Sequence, residues 1–106
     1  GLMDIALDPE QLAQIDAVLL AQTQAAQAQT GEQLVFDSLH TRQAGGHSFI
    51  DLHLHVPGQW TLAQAADWRQ RTEAALMAAI PRVQARIELL PQGAATVLEK
   101  QTGTLR

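Results

Sequence analysis

The segment HSFIDLHLHV, residues 47–56, carries ionisable side chains at every second position. Asp51, His53 and His55 alternate there with aliphatic residues, namely Ile50, Leu52, Leu54 and Val56. This period of two predicts a strand whose aliphatic side is buried and whose ionisable side faces elsewhere. Imidazole and carboxylate groups are ligands of divalent transition metals. The segment therefore supports two interpretations, a metal site or a half-buried strand with a solvated polar face.

Composition limits which chemistry is available. The chain has 106 residues, no cysteine and a formal charge of -4. This length fits one compact domain, and a metal must be held by His, Asp or Glu because thiolate is absent. The acidic balance argues against a nucleic-acid partner, which requires a dense Lys/Arg surface. The sequence has no G-x-S-x-G motif and no glycine-rich phosphate loop, so we expect a protein that is not an enzyme.

The opening residues, GLMDIAL, are apolar for a free terminus. No run of about 18 apolar residues, the length of a membrane helix, follows them, so we expect the fragment itself to be soluble. The apolar start favours an origin in a longer chain. We assign residues 1–8 to a linker that leaves a membrane helix, 9–91 to the domain, and 92–106, which have no periodic pattern, to a flexible tail.

Two helices are predicted from their capping residues. Asp8 caps a helix with Pro9 in its first position, over about residues 9–28. The second half of this helix is rich in Ala and Gln and has little to bury, so we expect it to project beyond the core or to fray. Thr61 and Gln64 form a capping box for a second helix over about 62–79.

Three strands complete the pattern. Residues 32–43 and 47–56 flank the glycines 45 and 46 as a hairpin, and 83–90 alternate as a third strand. A right-handed crossover through the second helix makes the last two strands parallel. The prediction is an α+β fold of order αββαβ, a truncated ferredoxin-like sandwich with a three-stranded mixed sheet and both helices on one face. Phe49 lies on the other face, which a second copy of the chain would cover most economically.

Strand parity predicts the candidate ligands. His53 and Glu88 fall on the uncovered face of two strands, where an imidazole and a carboxylate could converge on a cation. A hydrogen-bonded or ionic pair is the plainer alternative. Further donors are the following four residues: Asp37, His40, Asp51 and His55. If Val35 and Leu39 face the helices, His40 lies on the uncovered face and Asp37 on the buried one, unless a bulge intervenes. His47, beside the turn glycines, is a loop residue that could join a labile site at a dimer contact.

The stretches FDSLHTRQAGGHSFIDLHLHV, TLAQAADWRQRTEAALMAAIP and ARIELLP resemble the cytosolic C-terminal domain of the cation diffusion facilitator transporters. The specific core is T-R-x-x-G-x-x-x-F-I-D-L-H-L, from Thr41 to Leu54. This resemblance covers residues 1 to about 91. It implies a metallochaperone-like fold, a V-shaped homodimer and a regulatory role on the cytoplasmic face of a membrane. A proton-coupled transmembrane part that exports divalent cations would be covalently continuous with this chain.

Ligands carried over from that family are only partly retained. The first-strand His of the family corresponds to Asp37, the second-strand His to His53 and the third-strand His to Glu88, all of which can bind metal. Two further family ligands correspond to Ala66 and Leu90, which cannot. The resemblance thus implies one mononuclear site from Asp37, His53 and Glu88, completed by water, His55 or His40. Such a donor set accepts Zn²⁺, Fe²⁺, Mn²⁺ or Co²⁺ without strong discrimination.

Two other functions remain open from the sequence. One is a domain of this family whose dimer forms without metal, with His53 and Glu88 only hydrogen-bonded. The other is a stand-alone ferredoxin-like module that binds a ligand and regulates an enzyme.

Overall fold

A computed structural model describes residues 5–93 of the chain. The element order is α1 (Pro9–Thr30), β1 (Val35–Ala44), β2 (His47–Val56), α2 (Leu62–Ala79) and β3 (Val83–Pro91). The sheet order is β1-β2-β3, with β1 antiparallel and β3 parallel to β2. The predicted α+β, ferredoxin-like architecture is thereby confirmed. Of the predicted linker and tail, residues 1–4 and 94–106 lie outside the described residues.

Both helices begin at the predicted caps. The Asp8 carboxylate accepts the backbone N–H of Gln11 at 2.8 Å, and the Thr61 hydroxyl accepts that of Gln64 at 3.0 Å. Each such cap contributes about 1 kcal/mol by satisfying a donor that the first helical turn leaves unpaired. In the part of the chain that the structure describes, neither helix has the length and hydropathy to span a bilayer.

The second half of α1 differs from the prediction that it projects or frays. The helix continues to Thr30, where Gly31, with φ 74°, forms a left-handed cap and donates to the carbonyl of Gln27. Ala26 is fully buried, and the Gln29 side chain accepts a hydrogen bond at 2.9 Å from Arg71 of α2. The half of α1 predicted to have little to bury is therefore in contact with α2. Tertiary contact therefore overrides the weak apolar pattern.

The hairpin turn uses both glycines. Gly45 and Gly46 have φ values of 59° and 79°, as a two-residue type I′ connection requires. This turn fixes the register in which Ala44 faces His47 and Thr41 faces Ile50. Side chains at even positions of β2 then point to the helices. They form the centre of the core, with exposures of 1% for Ile50, 2% for Leu52, 0% for Leu54 and 6% for Val56.

The side of the sheet away from the helices is called here the open face. It consists of cross-strand rows read from β1 through β2 to β3: Arg42–Phe49–Gln84, His40–Asp51–Arg86, Asp37–His53–Glu88 and Val35–His55–Leu90. Polar and charged side chains dominate three rows, whereas Val35, Leu90 and Phe49 are apolar. No element among residues 5–93 packs over this face. The distribution confirms the predicted alternation of β2.

The ends of the described chain are tied to the strands. Ile5 forms an isolated antiparallel bridge with Gln43, through backbone hydrogen bonds of 2.8 and 2.7 Å. Gln92 donates its backbone N–H to the Val56 carbonyl at 2.7 Å and its side-chain amide to the Gln33 carbonyl. The first and last described segments therefore belong to the same folded unit as the sheet.

Candidate metal centre

A β-bulge decides which β1 residues reach the open face. The register of β1 on β2 shifts between Asp37 and His40, so that Ser38 and Leu39 both oppose Leu52. Ser38 has φ 55°, a left-handed conformation that non-glycine residues seldom adopt. The extra residue returns Asp37 to the open face, directly opposite His53. This is the exception under which the sequence allowed Asp37 to be a ligand.

The condition that placed Val35 and Leu39 toward the helices does not hold. Val35 pairs with His55 on the open face and is 45% exposed, while Leu39 lies in the bulge and is 36% exposed. Their place in the core is taken by Leu34, which is 2% exposed, and by the partly buried Phe36. The displacement follows from the bulge, because it inverts the facing of every β1 residue that precedes it.

Three side chains converge at the end of β2. The Nε2 atom of His55 lies 3.0 Å from both carboxylate oxygens of Asp37. The Nδ1 atom of His53 lies 3.7 Å from Asp37 Oδ1. Each of the three offers a donor atom, and these donors all lie within 4.8 Å of one another. Among residues 5–93 this is the one cluster of at least three potential ligands with that spacing.

The spacing of these donors fits a small divalent ion. Ligands at about 2.0–2.1 Å from a tetrahedral Zn²⁺ lie about 3.3 Å from one another. The two separations that involve Asp37, 3.0 and 3.7 Å, bracket this value, and the third pair, His53 and His55, lies within 4.8 Å. Asp37 is 52% exposed and His53 37%, whereas His55 is 12% exposed. An ion held here would have two neutral imidazoles, one carboxylate and an open side accessible to water.

Glu88 lies beside this cluster and outside it. Its Oε2 atom is 3.8 Å from His53 Nε2, the ring nitrogen opposite to the one that faces Asp37. The side chain is 64% exposed. Of the residues that the resemblance implies as ligands, Asp37 and His53 are brought together and Glu88 contacts only His53. His55, an alternative from the sequence, occupies the third place in the cluster.

The remaining candidates are distributed along the open face. His40 lies opposite Asp51 in the β1–β2 register, and Asp51 Oδ1 is 3.9 Å from Arg86 Nε. His47 is exposed beside the turn. Arg42 lies over the Phe49 ring with its guanidinium carbon 3.9 Å from the ring centre. Arg42 and Arg86 both line a pocket of about 260 Å³. None of these residues joins the cluster of three donors.

From the sequence, His55 is one of several possible further ligands, among which the residue pattern does not choose. The alternation of β2 already put His55 on the side of His53. The sequence did not predict that Asp37 would lie near the rings of both His53 and His55, because serine at position 38 does not indicate a left-handed conformation.

The fold and this donor set define a class: a truncated ferredoxin-like domain of metallochaperone type, with an acid–imidazole cluster on the bare side of its sheet. Residues 7–91 match the family model described as the cytoplasmic domain of cation efflux proteins. The chain belongs to this family, the cytosolic C-terminal domains of cation diffusion facilitator transporters. The family consists of transporter domains and is not a class of enzymes.

Individual relatives agree with that assignment. The chain is 37% identical over 76 residues to the uncharacterized transporter sll1263 of Synechocystis; the match covers 72% of this chain and 22% of that protein. The Zn form of CzrB, studied as a zinc transporter, superposes with a TM-score of 0.71 at 34% identity over 89% of this chain and 99% of that one. The metal-bound C-terminal domain of CzcD from Thermotoga maritima shares the fold, with a TM-score of 0.62 at 14% identity, over 84% and 99%.

Proposed function

We propose that this chain is the regulatory and dimerisation domain of a divalent-cation efflux transporter, and that it senses the cation through one mononuclear site per subunit. The observation that carries the proposal is the convergence of Asp37, His53 and His55 within 4.8 Å on the open face. The family assignment supports the transporter, of which the chain would form the cytoplasmic part. The chain spans about a fifth of its curated relative, so the membrane part is inferred and not described.

The open face also supports self-association. It presents Phe49 and Val35 beside its polar rows, and no described element covers it. A second copy would bury these groups and would place the two donor clusters at or beside the contact. A hinge between the copies gives a V-shaped dimer two arrangements. A cation that binds one arrangement better would shift the pair toward it, by as much as the two affinities differ.

The proposed ligands determine which cations the site can bind. Two imidazoles and one carboxylate bind Zn²⁺ well and also accept Co²⁺, Fe²⁺ and Mn²⁺. The Zn form of CzrB, the relative at 34% identity, makes Zn²⁺ the first ion to test.

A metal-independent dimer of the same family is the second candidate. The stack of Arg42 on Phe49 favours it, because this pair is amphipathic and lies two rows away from the Asp37–His53–Glu88 row. In that case His53 and its neighbours would be a hydrogen-bonded network only.

Calorimetry with Zn²⁺ on the whole chain tests the proposal. We expect one binding event per subunit that His53→Ala abolishes and that His47→Ala leaves unchanged, since His47 lies at the far end of the open face. Small-angle scattering on the same samples should show a dimer that becomes more compact on binding. Heat that is insensitive to His53→Ala, or a monomer at micromolar concentration, would contradict the proposal.

A further inference from the structure

The His53 ring lies between two carboxylates. Its Nδ1 atom is 3.7 Å from Asp37 Oδ1, and its Nε2 atom is 3.8 Å from Glu88 Oε2. The two ring nitrogens direct their lone pairs or N–H bonds away from each other, so one ion can bind only one of them. A mononuclear site that includes His53 must therefore use either the Asp37 side or the Glu88 side of the ring.

The two sides are not equivalent. On the Nδ1 side, the Asp37 carboxylate is already in contact with a second imidazole, that of His55, at 3.0 Å from both oxygens. On the Nε2 side, the described residue in contact with His53 is Glu88, whose side chain is 64% exposed. Among the described residues, the group that satisfies the spacing of a metal site is Asp37, His53 and His55, and it omits Glu88. An ion that needs three protein ligands finds them on the Nδ1 side.

From this geometry we infer that Glu88 is not a ligand but a positioning residue, whose carboxylate, 3.8 Å from His53 Nε2, needs only a small approach to accept a hydrogen bond from the Nε2–H. This inference rests on the proposed metal site. A neutral imidazole carries one N–H, and each nitrogen of His53 has a carboxylate nearby. Because Asp37 on the Nδ1 side is already in contact with His55 at 3.0 Å, Glu88 is the better acceptor for the His53 proton, on Nε2. With the proton on Nε2, the Nδ1 lone pair is free and directed at the site. A carboxylate that orients a metal-bound imidazole in this way fixes its tautomer and raises its basicity.

Register gives Glu88 the right position for this role. Glu88 pairs with His53 in the parallel ladder of β2 and β3, while Asp37 pairs with His53 from β1 on the other side. The ring thus receives one carboxylate from each neighbouring strand. His55, two residues further on, faces Val35 and Leu90 in its row and has no carboxylate of β3 opposite it. The supporting carboxylate is therefore specific to His53.

Cobalt and zinc binding to three variants separates the roles. Glu88→Ala should weaken Zn²⁺ affinity by about 10- to 100-fold, the usual effect of removing such a partner, and should leave the visible absorption spectrum of the Co²⁺ form unchanged. Asp37→Ala, which removes a ligand, should change that spectrum and abolish tight binding. Asp51→Ala removes a carboxylate from the adjacent row of the same face and should change neither. A Co²⁺ spectrum altered by Glu88→Ala would overturn the inference.

The tautomer of His53 provides a second readout, which does not depend on metal. Nitrogen-15 NMR of the metal-free protein at alkaline pH should show the proton of neutral His53 predominantly on Nε2, and Glu88→Ala should remove that preference while Glu88→Gln retains part of it. A proton predominantly on Nδ1 would overturn the inference. Failure of the unaltered protein to bind Zn²⁺ would instead contradict the proposed function, and the tautomer would still decide whether Glu88 orients His53.

Discussion

Asp37 and His40 are three residues apart on one strand, yet both project from the same face of the sheet, opposite His53 and Asp51 respectively. Residues three apart in a regular strand point to opposite faces. The bulge at Ser38 and Leu39 removes this conflict and brings Asp37 to the donor cluster. Metal binding in this domain should therefore depend on a residue that touches no metal.

Substitutions at Ser38 test this dependence. Ser38→Gly should keep Zn²⁺ affinity within about threefold, because glycine adopts the left-handed conformation without strain. Ser38→Val should weaken affinity at least tenfold, because a β-branched residue disfavours φ 55° and a straight strand would turn Asp37 toward the helices. Calorimetry measures both. Gln43→Val, which introduces the same β-branched residue at a regularly paired position of the same strand, is the control and should bind as the unaltered chain does.

Zinc binding should weaken toward acidic pH. A proton on an imidazole nitrogen competes with the metal for the same lone pair, and two imidazoles contribute to the proposed site. We expect affinity to fall at least tenfold between about pH 7.5 and about pH 5.5, where free imidazole becomes protonated. Titration calorimetry at the two pH values measures the change. Affinity that stays constant over this interval would exclude His53 and His55 as ligands.

The dimer should depend on the aromatic residue of the open face. Phe49→Ala should raise the dimer dissociation constant at least tenfold, because a symmetric contact loses the apolar area of two rings. Sedimentation equilibrium measures this constant. Leu20→Ala removes a large apolar side chain from α1, where Leu20 is 59% exposed, and should leave the constant unchanged. Equal effects of the two substitutions would locate the contact elsewhere.

Stability should depend on the helix-facing side of β2. Leu54→Ala is expected to lower the free energy of unfolding by about 2–5 kcal/mol, since Leu54 is completely buried and its removal leaves a cavity. Met77→Ala, on a side chain that is 62% exposed, should change it by no more than about 0.5 kcal/mol. Chemical denaturation at a fixed protein concentration measures both, and that concentration matters because a dimer is stabilised by mass action.

Elements with local signals were predictable from the sequence. The caps at Asp8 and Thr61, the glycine turn and the alternation of β2 each act within a few residues, and the structure confirms all of them. The face of the sheet on which the β1 residues before the bulge lie was not predictable, because the residue type serine does not indicate a left-handed conformation. The continuation of α1 depended on contact with α2, as in the hydrogen bond between Gln29 and Arg71, which are 42 residues apart in the chain.

The candidate site also has a part that the sequence predicts and a part that only the structure shows. His53 and Glu88 could be placed on one face by parity alone, and their pairing in the β2–β3 ladder is observed. Which side of the His53 ring would serve a cation depends on side-chain positions of Asp37 and His55, and strand alternation carries no information about those. The assignment of Asp37 and His53 as ligands thus stays a prediction, and the proposals above give His55, which lies closer to Asp37 than His53 does, the third place that the resemblance implied for Glu88.

The two hydrogen bonds of Gln92 reduce the part of the folding free energy that a bound cation would have to supply. They fasten the last residue of β2 to the end of β3 and to Gln33, just before β1, so all three strand ends near His55 are tied together by groups that are not candidate ligands. We therefore expect the fold around the site to form without a bound cation. A chelator should accordingly leave the circular dichroism of the domain intact, in contrast to small zinc domains that unfold when their metal is withdrawn.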